Sequence, residues 1–223
     1  MGLIDRFLGR RPAEPDVPEI RAEVGLDQRG DDELDVADMP FDGSDLGWYA
    51  PQDGDSGYFL GPDGVPALHL IPCRGDGGEV ALQLCEDTTG QLVNPRDSRL
   101  PLAGVYVSQL RGAAFHRLGC TAGDFRPGAR VHLLREPANE FDPDAVAVYD
   151  GTGRYLAAYV NNQKARLLSR LIDSGQPLEA VSIQGTGPGH PCEQVAVLAA
   201  SPQVLQRLLE PRPANLPAPA RGG

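Results

Sequence analysis

Lysine, aromatic residues, long apolar runs and paired cysteines are all scarce in this chain, and each shortage excludes something. Lys164 is the sole lysine among 20 basic residues. A P-loop needs Gly-Lys-Ser/Thr so that the ammonium can neutralise phosphate oxygens above a glycine-rich backbone, and Lys164 lies between Gln163 and Ala165 with no glycine run before it. Nucleotide hydrolysis by that route is excluded. No stretch reaches the roughly 18 consecutive apolar residues of a membrane-spanning helix, and residues 1–11 lack the apolar run and cleavage site of a secretory signal. The expected location is the cytoplasm.

Cys73, Cys85, Cys120 and Cys192 are far apart and form no Cys-x-x-Cys, the close pairing that lets one turn offer two thiolates to a zinc ion. Buried free thiols are expected, with no metal or other cofactor. His69 and His132 alternate within strand-like runs, His116 falls in a helical pattern and His190 in a loop, so none has an evident catalytic partner. Asp53-Gly54-Asp55 lacks the closing glutamate of a calcium loop, and Gly185 to Gly189 reads as a hairpin loop. With no nucleophile elbow, zinc-protease helix or dinucleotide fingerprint, no catalytic residue is expected and the protein reads as a non-enzyme.

What the chain does have is glycine (27), proline (21) and acid: the formal net charge is −11. Such a charge disfavours nucleic acid as a partner, but its distribution is uneven. Residues 1–60 carry 5 Arg against 15 acids and residues 61–97 carry 2 against 6, whereas residues 98–186 carry 10 bases against 8 acids. An acidic arm precedes a neutral-to-basic module.

Residues 12–57 are rich in Pro, Asp and Glu without periodic apolar positions, a composition that cannot offset ordering entropy by burial. Residues 1–57 therefore read as a disordered acidic region. The alternating runs Ala67–Ile71 and Glu79–Cys85, separated by Gly75-Asp76-Gly77-Gly78, mark a β-hairpin extension over 58–97. Residues 98–210 then read as a β-rich domain. Its expected strands are Leu102–Gln109, Ala129–Leu134, Ala145–Tyr149, Tyr155–Val160, Leu178–Gln184 and Glu193–Ala199. A short helix over Leu110–Leu118 is expected to stop at Gly119. A second is capped by Asn161 or Asn162, and a third opens at Ser201-Pro202. The tail over 211–223 reads as loose. Short strands with two or three helices and no βαβ regularity predict an α+β fold, mostly β, built as a small antiparallel barrel.

Arg135-Glu136-Pro137-Ala138-Asn139-Glu140-Phe141-Asp142-Pro143-Asp144-Ala145-Val146-Ala147-Val148, preceded by Pro127-Gly128-Ala129-Arg130-Val131 and followed by Gly153-Arg154 and Tyr159-Val160, resembles the HIRAN domain family. The resemblance spans roughly residues 100–209. It implies an OB-like β-barrel and, in that family, capture of a single-stranded DNA end by its 3′-hydroxyl; family members occur fused to helicases and nucleases or as small stand-alone bacterial proteins.

The motif's residue types suit that role. One aromatic set among Asn and Asp between two strands offers a stacking face beside acceptors for a sugar hydroxyl. Phe141 is expected to stack and Asp142 to take the hydroxyl proton, selecting an end over an internal phosphodiester. Two departures weaken the fit: Asn161-Asn162 stand where the family carries basic residues, and Ala158 stands where it has glycine. Arg135, Lys164, Arg166 and Arg170 are the cations left to compensate. The expected nucleic-acid site is Tyr106, Arg135, Asn139, Phe141, Asp142, Tyr159, Asn162, Lys164 and Arg166. The expected partner is a weakly bound single-stranded DNA end in a repair or processing context. The rival reading is a protein-interaction module that has lost DNA binding and docks a DNA-repair protein.

Overall fold

A computed structural model of the chain describes residues 37–41, 48–49, 59–75, 78–192 and 194–219. Most of the acidic region, including the Asp53–Asp55 loop, lies outside these residues, as does the end of the tail.

Six strands close into a barrel: β4 (Val105–Arg111), β5 (Arg130–Arg135), β6 (Val146–Asp150), β7 (Leu156–Val160), β8 (Glu179–Gln184) and β9 (Ala196–Ala200), in the spatial order β4-β7-β6-β5-β8-β9. Every neighbouring pair, including the closing pair β9 and β4, is antiparallel. This is the mostly β, α+β barrel that the strand pattern predicted, and the OB-like architecture that the family resemblance implied. Closure leaves no strand edge within the barrel.

Three helices complete the domain: α1 (Arg117–Ala122), α2 (Asn162–Asp173) and α3 (Pro202–Leu209). Asn161 caps α2 by accepting from the Lys164 amide at 3.1 Å, and Ser201 caps α3 by accepting from the Val204 amide. The helix expected to stop at Gly119 is different. The strand β4 runs on to Arg111, a 3-10 turn covers Ala113–Phe115, and α1 passes straight through Gly119. A Cβ at Gly119 would lie 2.3 Å from the Leu156 carbonyl oxygen, so this glycine lets α1 sit directly against β7 rather than ending it.

A second sheet joins β2 (Leu68–Gly75) and β3 (Val80–Glu86) as the expected hairpin. To its edge is added β1 (Ala37–Phe41), parallel to β2, inside the region that composition assigned to disorder. Parallel pairing with a distant segment leaves no local periodicity to read, and Pro40 is tolerated because β1 is an edge strand. Nearby, the Tyr49 amide donates to the Leu92 carbonyl, and Trp48 packs on Ile71, Cys73, Cys85 and Leu92.

The strand β9 explains why the barrel lacks clean alternation. Val197 and Ala199 belong to the core inside the barrel with Val146, Val148 and Leu168, whereas Ala196, Leu198 and Ala200 belong to a second core with Leu68, Leu82, Leu205 and Leu208. The hairpin and α3 thus cover the outside of the β8-β9-β4 wall, and a strand buried on both faces reads as a continuous apolar run.

This second core is stapled by charge. Asp87 is buried; its Oδ1 lies 2.6 Å from His69 Nδ1, and Arg207 and Arg212 both reach its carboxylate at 3.6 Å. Arg212 also donates to the Asp87 carbonyl at 3.2 Å. The tail, expected to be loose, is therefore anchored at Arg212, because a buried carboxylate needs compensating cations.

The cysteines also depart from expectation. Cys120 and Cys192, 72 residues apart, form a disulfide between α1 and the loop leading to β9. Sequence spacing carries no trace of it, because the tertiary approach alone brings the pair together. Cys73 and Cys85 are buried free thiols; burial pushes the Cys85 thiol up to about 11, outweighing the opposing pull of Arg212.

Candidate nucleic-acid interface

The loop 136–145 joins β5 to β6 and carries the central motif. It is locked by its own polar residues. Asn139 Oδ1 accepts from the amides of Phe141 (3.0 Å) and Asp142 (3.2 Å), while its Nδ2 donates to Glu136 Oε2 at 3.0 Å. Asp142 Oδ1 accepts from the Asp144 amide at 2.8 Å, and the Ala145 amide donates to the Asp142 carbonyl. At the tip of this braced loop Phe141 is 88% exposed.

Glu136 links the loop to the barrel wall. Its Oε2 accepts from Tyr159 Oη at 3.1 Å as well as from Asn139. Burial together with the adjacent Glu136 carboxylate pushes the Tyr159 phenol up to about 12. The His116 ring lies 5.6 Å from the Tyr159 ring, tilted against it. Arg111 pairs directly opposite Tyr159 across β4 and β7, so both side chains project from the same face of the sheet. Glu136, Tyr159, His116 and Arg111 thus lie together on the outer wall, and Glu136 braces the loop that carries Phe141.

A second group sits on the other side of the loop. Tyr106 shares a face of β4 with Ser108, whose Oγ accepts from the Asn161 amide at the start of α2. Tyr106 packs partly buried against the barrel core, and burial raises its phenol. Asn162 and Arg166 are exposed on α2 and Lys164 is half-buried there. The registers of β4, β6 and β7 put the loop and the α2 N-terminus at one end of the barrel.

Of the cations expected to compensate for Asn161 and Asn162, Arg135 is already committed. It donates to Asp173 Oδ2 and to the Ala145 carbonyl, both at 3.3 Å, and lies 3.9 Å from Asp144. It ties the loop to α2, as does Ser169 Oγ through Asp144 Oδ1 at 3.1 Å. Arg111, by contrast, makes no side-chain hydrogen bond or ion pair with the described residues and is exposed. Sequence reading missed Arg111 and His116 because it placed the strand-to-helix boundary two residues early, which put Arg111 in a helix. Glu136 lay within the motif, but its bond to Tyr159 is a tertiary fact. Among the described residues no group of His, Cys, Asp or Glu is arranged to hold a metal ion, and no helix is long and apolar enough to cross a membrane.

A closed antiparallel barrel with a braced aromatic loop at one end defines a small β-barrel domain. The HIRAN domain family matches residues 104–193, and this segment of the chain is a HIRAN domain. Among solved structures, the chain is similar to the crystal structure of the HIRAN domain of human HLTF, at 15% identity and a TM-score of 0.35 over 47% of this chain and 83% of that one. It is also similar to a Lactobacillus plantarum protein, at 20% identity and a TM-score of 0.35 over 42% and 91%. No curated protein matches the sequence.

Proposed function

We propose that this chain is a non-enzymatic module whose HIRAN domain weakly captures single-stranded DNA ends through the 3′-hydroxyl, in a repair or processing context. HIRAN domains are known as nucleic-acid-binding modules. The observation that carries the finer reading is the Phe141 ring, held in solvent by a loop whose hydrogen bonds use only the backbone of that residue. One Asp142 oxygen is spent on the Asp144 amide; the other is left to accept a hydrogen bond from a terminal hydroxyl. A carboxylate there welcomes a hydroxyl and repels a phosphate.

The test compares one short strand ending in a 3′-hydroxyl with the same strand ending in a 3′-phosphate, at low salt. The hydroxyl form binds better, and Asp142→Ala removes the preference while lowering overall affinity modestly, since a charge-assisted hydrogen bond contributes about 1.5–3 kcal/mol. Phe141→Ala weakens both strands alike, and thermal melting of both variants checks that the loop still folds. Equal or no binding by the folded protein overturns the reading. The rival, a protein-interaction module, draws support from the commitment of Arg135 to Asp173 and from Glu136 beside Tyr159, which set carboxylates along the path of a phosphate backbone.

A further inference from the structure

We propose that the cleft between α1 and the turn before β7 is a second subsite for the same strand, taking the bases and phosphates that lie upstream of its 3′ end. The proposal rests on the DNA-end reading and extends it.

The cleft has a volume of about 460 Å³ and is lined by Phe115, His116, Arg117, Leu118, Arg154 and Tyr155, among others, with no carboxylate in its lining. Phe115 and Leu118 are each 90% exposed, the most exposed large apolar side chains in the described residues. They share the lining of the cleft with Arg117 and Arg154. The side chains of Arg117 and Arg154, like that of Arg111, make no hydrogen bond or ion pair with the described residues.

Exposed rings interleaved with unpaired guanidinium groups, in a concavity free of acid, form the surface on which single-stranded nucleic acid stacks its bases and rests its phosphates. Guanidinium groups match phosphate in geometry as well as charge. The cleft is also continuous with the loop site. His116 lines the cleft and packs its ring on Tyr159, Tyr159 bonds Glu136, and Glu136 braces the loop that carries Phe141. Arg111 lies opposite Tyr159, the residue that links the loop to His116. A strand whose last base stacks on Phe141 is led across Tyr159 and Arg111 toward Phe115.

The partial neutrality of the domain fits the same arrangement. Arg126, Arg130 and Arg207 are each paired with a carboxylate, so the arginines left for phosphate concentrate at Arg111, at this cleft and on α2.

The experiment measures binding of 5′-labelled oligothymidylates with 3′-hydroxyl ends, about two to eight nucleotides long, by fluorescence anisotropy at low salt, with the full chain as wild type, Phe115→Ala and Arg117→Glu. Wild-type affinity rises with length by about tenfold, the gain expected from adding a stacked base and its phosphate. In the two variants that rise is lost, while the affinity for the dinucleotide and its preference for a 3′-hydroxyl are unchanged. Both positions are exposed, so the fold survives and melting temperatures match wild type. A wild type that binds the dinucleotide with no gain from length overturns the subsite and leaves the end reading intact, whereas failure of every length to bind overturns both. A length gain that persists in both variants, or an acidic leucine-containing peptide that occupies the cleft and is not displaced by the oligonucleotides, also overturns it.

Discussion

The two walls of this barrel use the same residue, arginine, in opposite ways. On the covered wall, where the hairpin and α3 pack, Arg207 and Arg212 converge on the buried carboxylate of Asp87 and Arg99 is bound to Asp97 while lying over the Phe59 ring. On the open wall Arg111, Arg117 and Arg154 stand beside exposed rings without a partner among the described residues. Charge that is neutralised internally stabilises a fold and has nothing left to offer a ligand. Charge left solvated contributes little to the fold and is available to bind.

The sharpest way to break this contrast is to delete one carboxylate from each wall. Asp87→Ala leaves two arginines and His69 facing a buried gap and lowers stability by about 3 kcal/mol or more in a urea titration, since removing one partner of a buried ion pair strands the others. Asp142→Ala, half-buried and bonded only within its own turn, costs about 1 kcal/mol in the same titration. Comparable losses in the two variants would erase the distinction between the walls.

Gly119→Ala probes the seam that supports the open wall. The added methyl meets the Leu156 carbonyl, α1 must shift away from β7, and stability falls by about 2 kcal/mol. The His116 ring moves with α1, so the variant also alters the NMR signals of Tyr159. Unperturbed Tyr159 signals would show that the two rings are not coupled.

The smallest effect is a difference in pH response. Burial of Glu86 in the hairpin raises its carboxyl, but hydrogen bonds from the hydroxyls and amides of Thr88 and Thr89 outweigh this, and its pKa ends below the ordinary 4.5. A depressed carboxyl contributes stability present above 4.5 and lost as pH falls through the folded value. Tyr159 behaves in the opposite sense: its phenol is raised from 10.0 to about 12, so its contribution is complete below 10 and lost as pH climbs toward 12. Glu86→Gln should flatten the acid limb of a stability profile and Tyr159→Phe the alkaline limb. An alkaline limb unchanged in Tyr159→Phe would remove the Tyr159–Glu136 bond from the description of the site.

Local chemistry made part of this protein legible in advance. Ser201 is readable as a helix cap, and the second cap narrows to Asn161 or Asn162, because a cap is a short-range bond between one side chain and an amide three residues on; the structure selects Asn161. The hairpin was readable from its alternation and its glycine-rich turn, and the loop 136–145 from its run of Asn, Asp and Pro. Gly119 was misread because glycine has two uses, ending a helix or letting one approach, and only the position of Leu156 separates them. Arg135 is expected from sequence as a phosphate contact, and only the tertiary structure places it against Asp173 of α2 and the Ala145 carbonyl.

Local chemistry specifies the six barrel strands, the capped helices α2 and α3, the motif loop and the aromatic at its tip, because turn chemistry, capping and hydrophobic period act over a few residues. Tertiary structure alone decided the Cys120–Cys192 pairing, the docking of β1 on β2, the burial of β9 on both faces, the anchoring of the tail through Arg212, and which arginines remain free. Each depends on groups distant in the chain meeting in space. Whether a charge is neutralised or available is a property of its neighbours, and those neighbours are chosen by the fold.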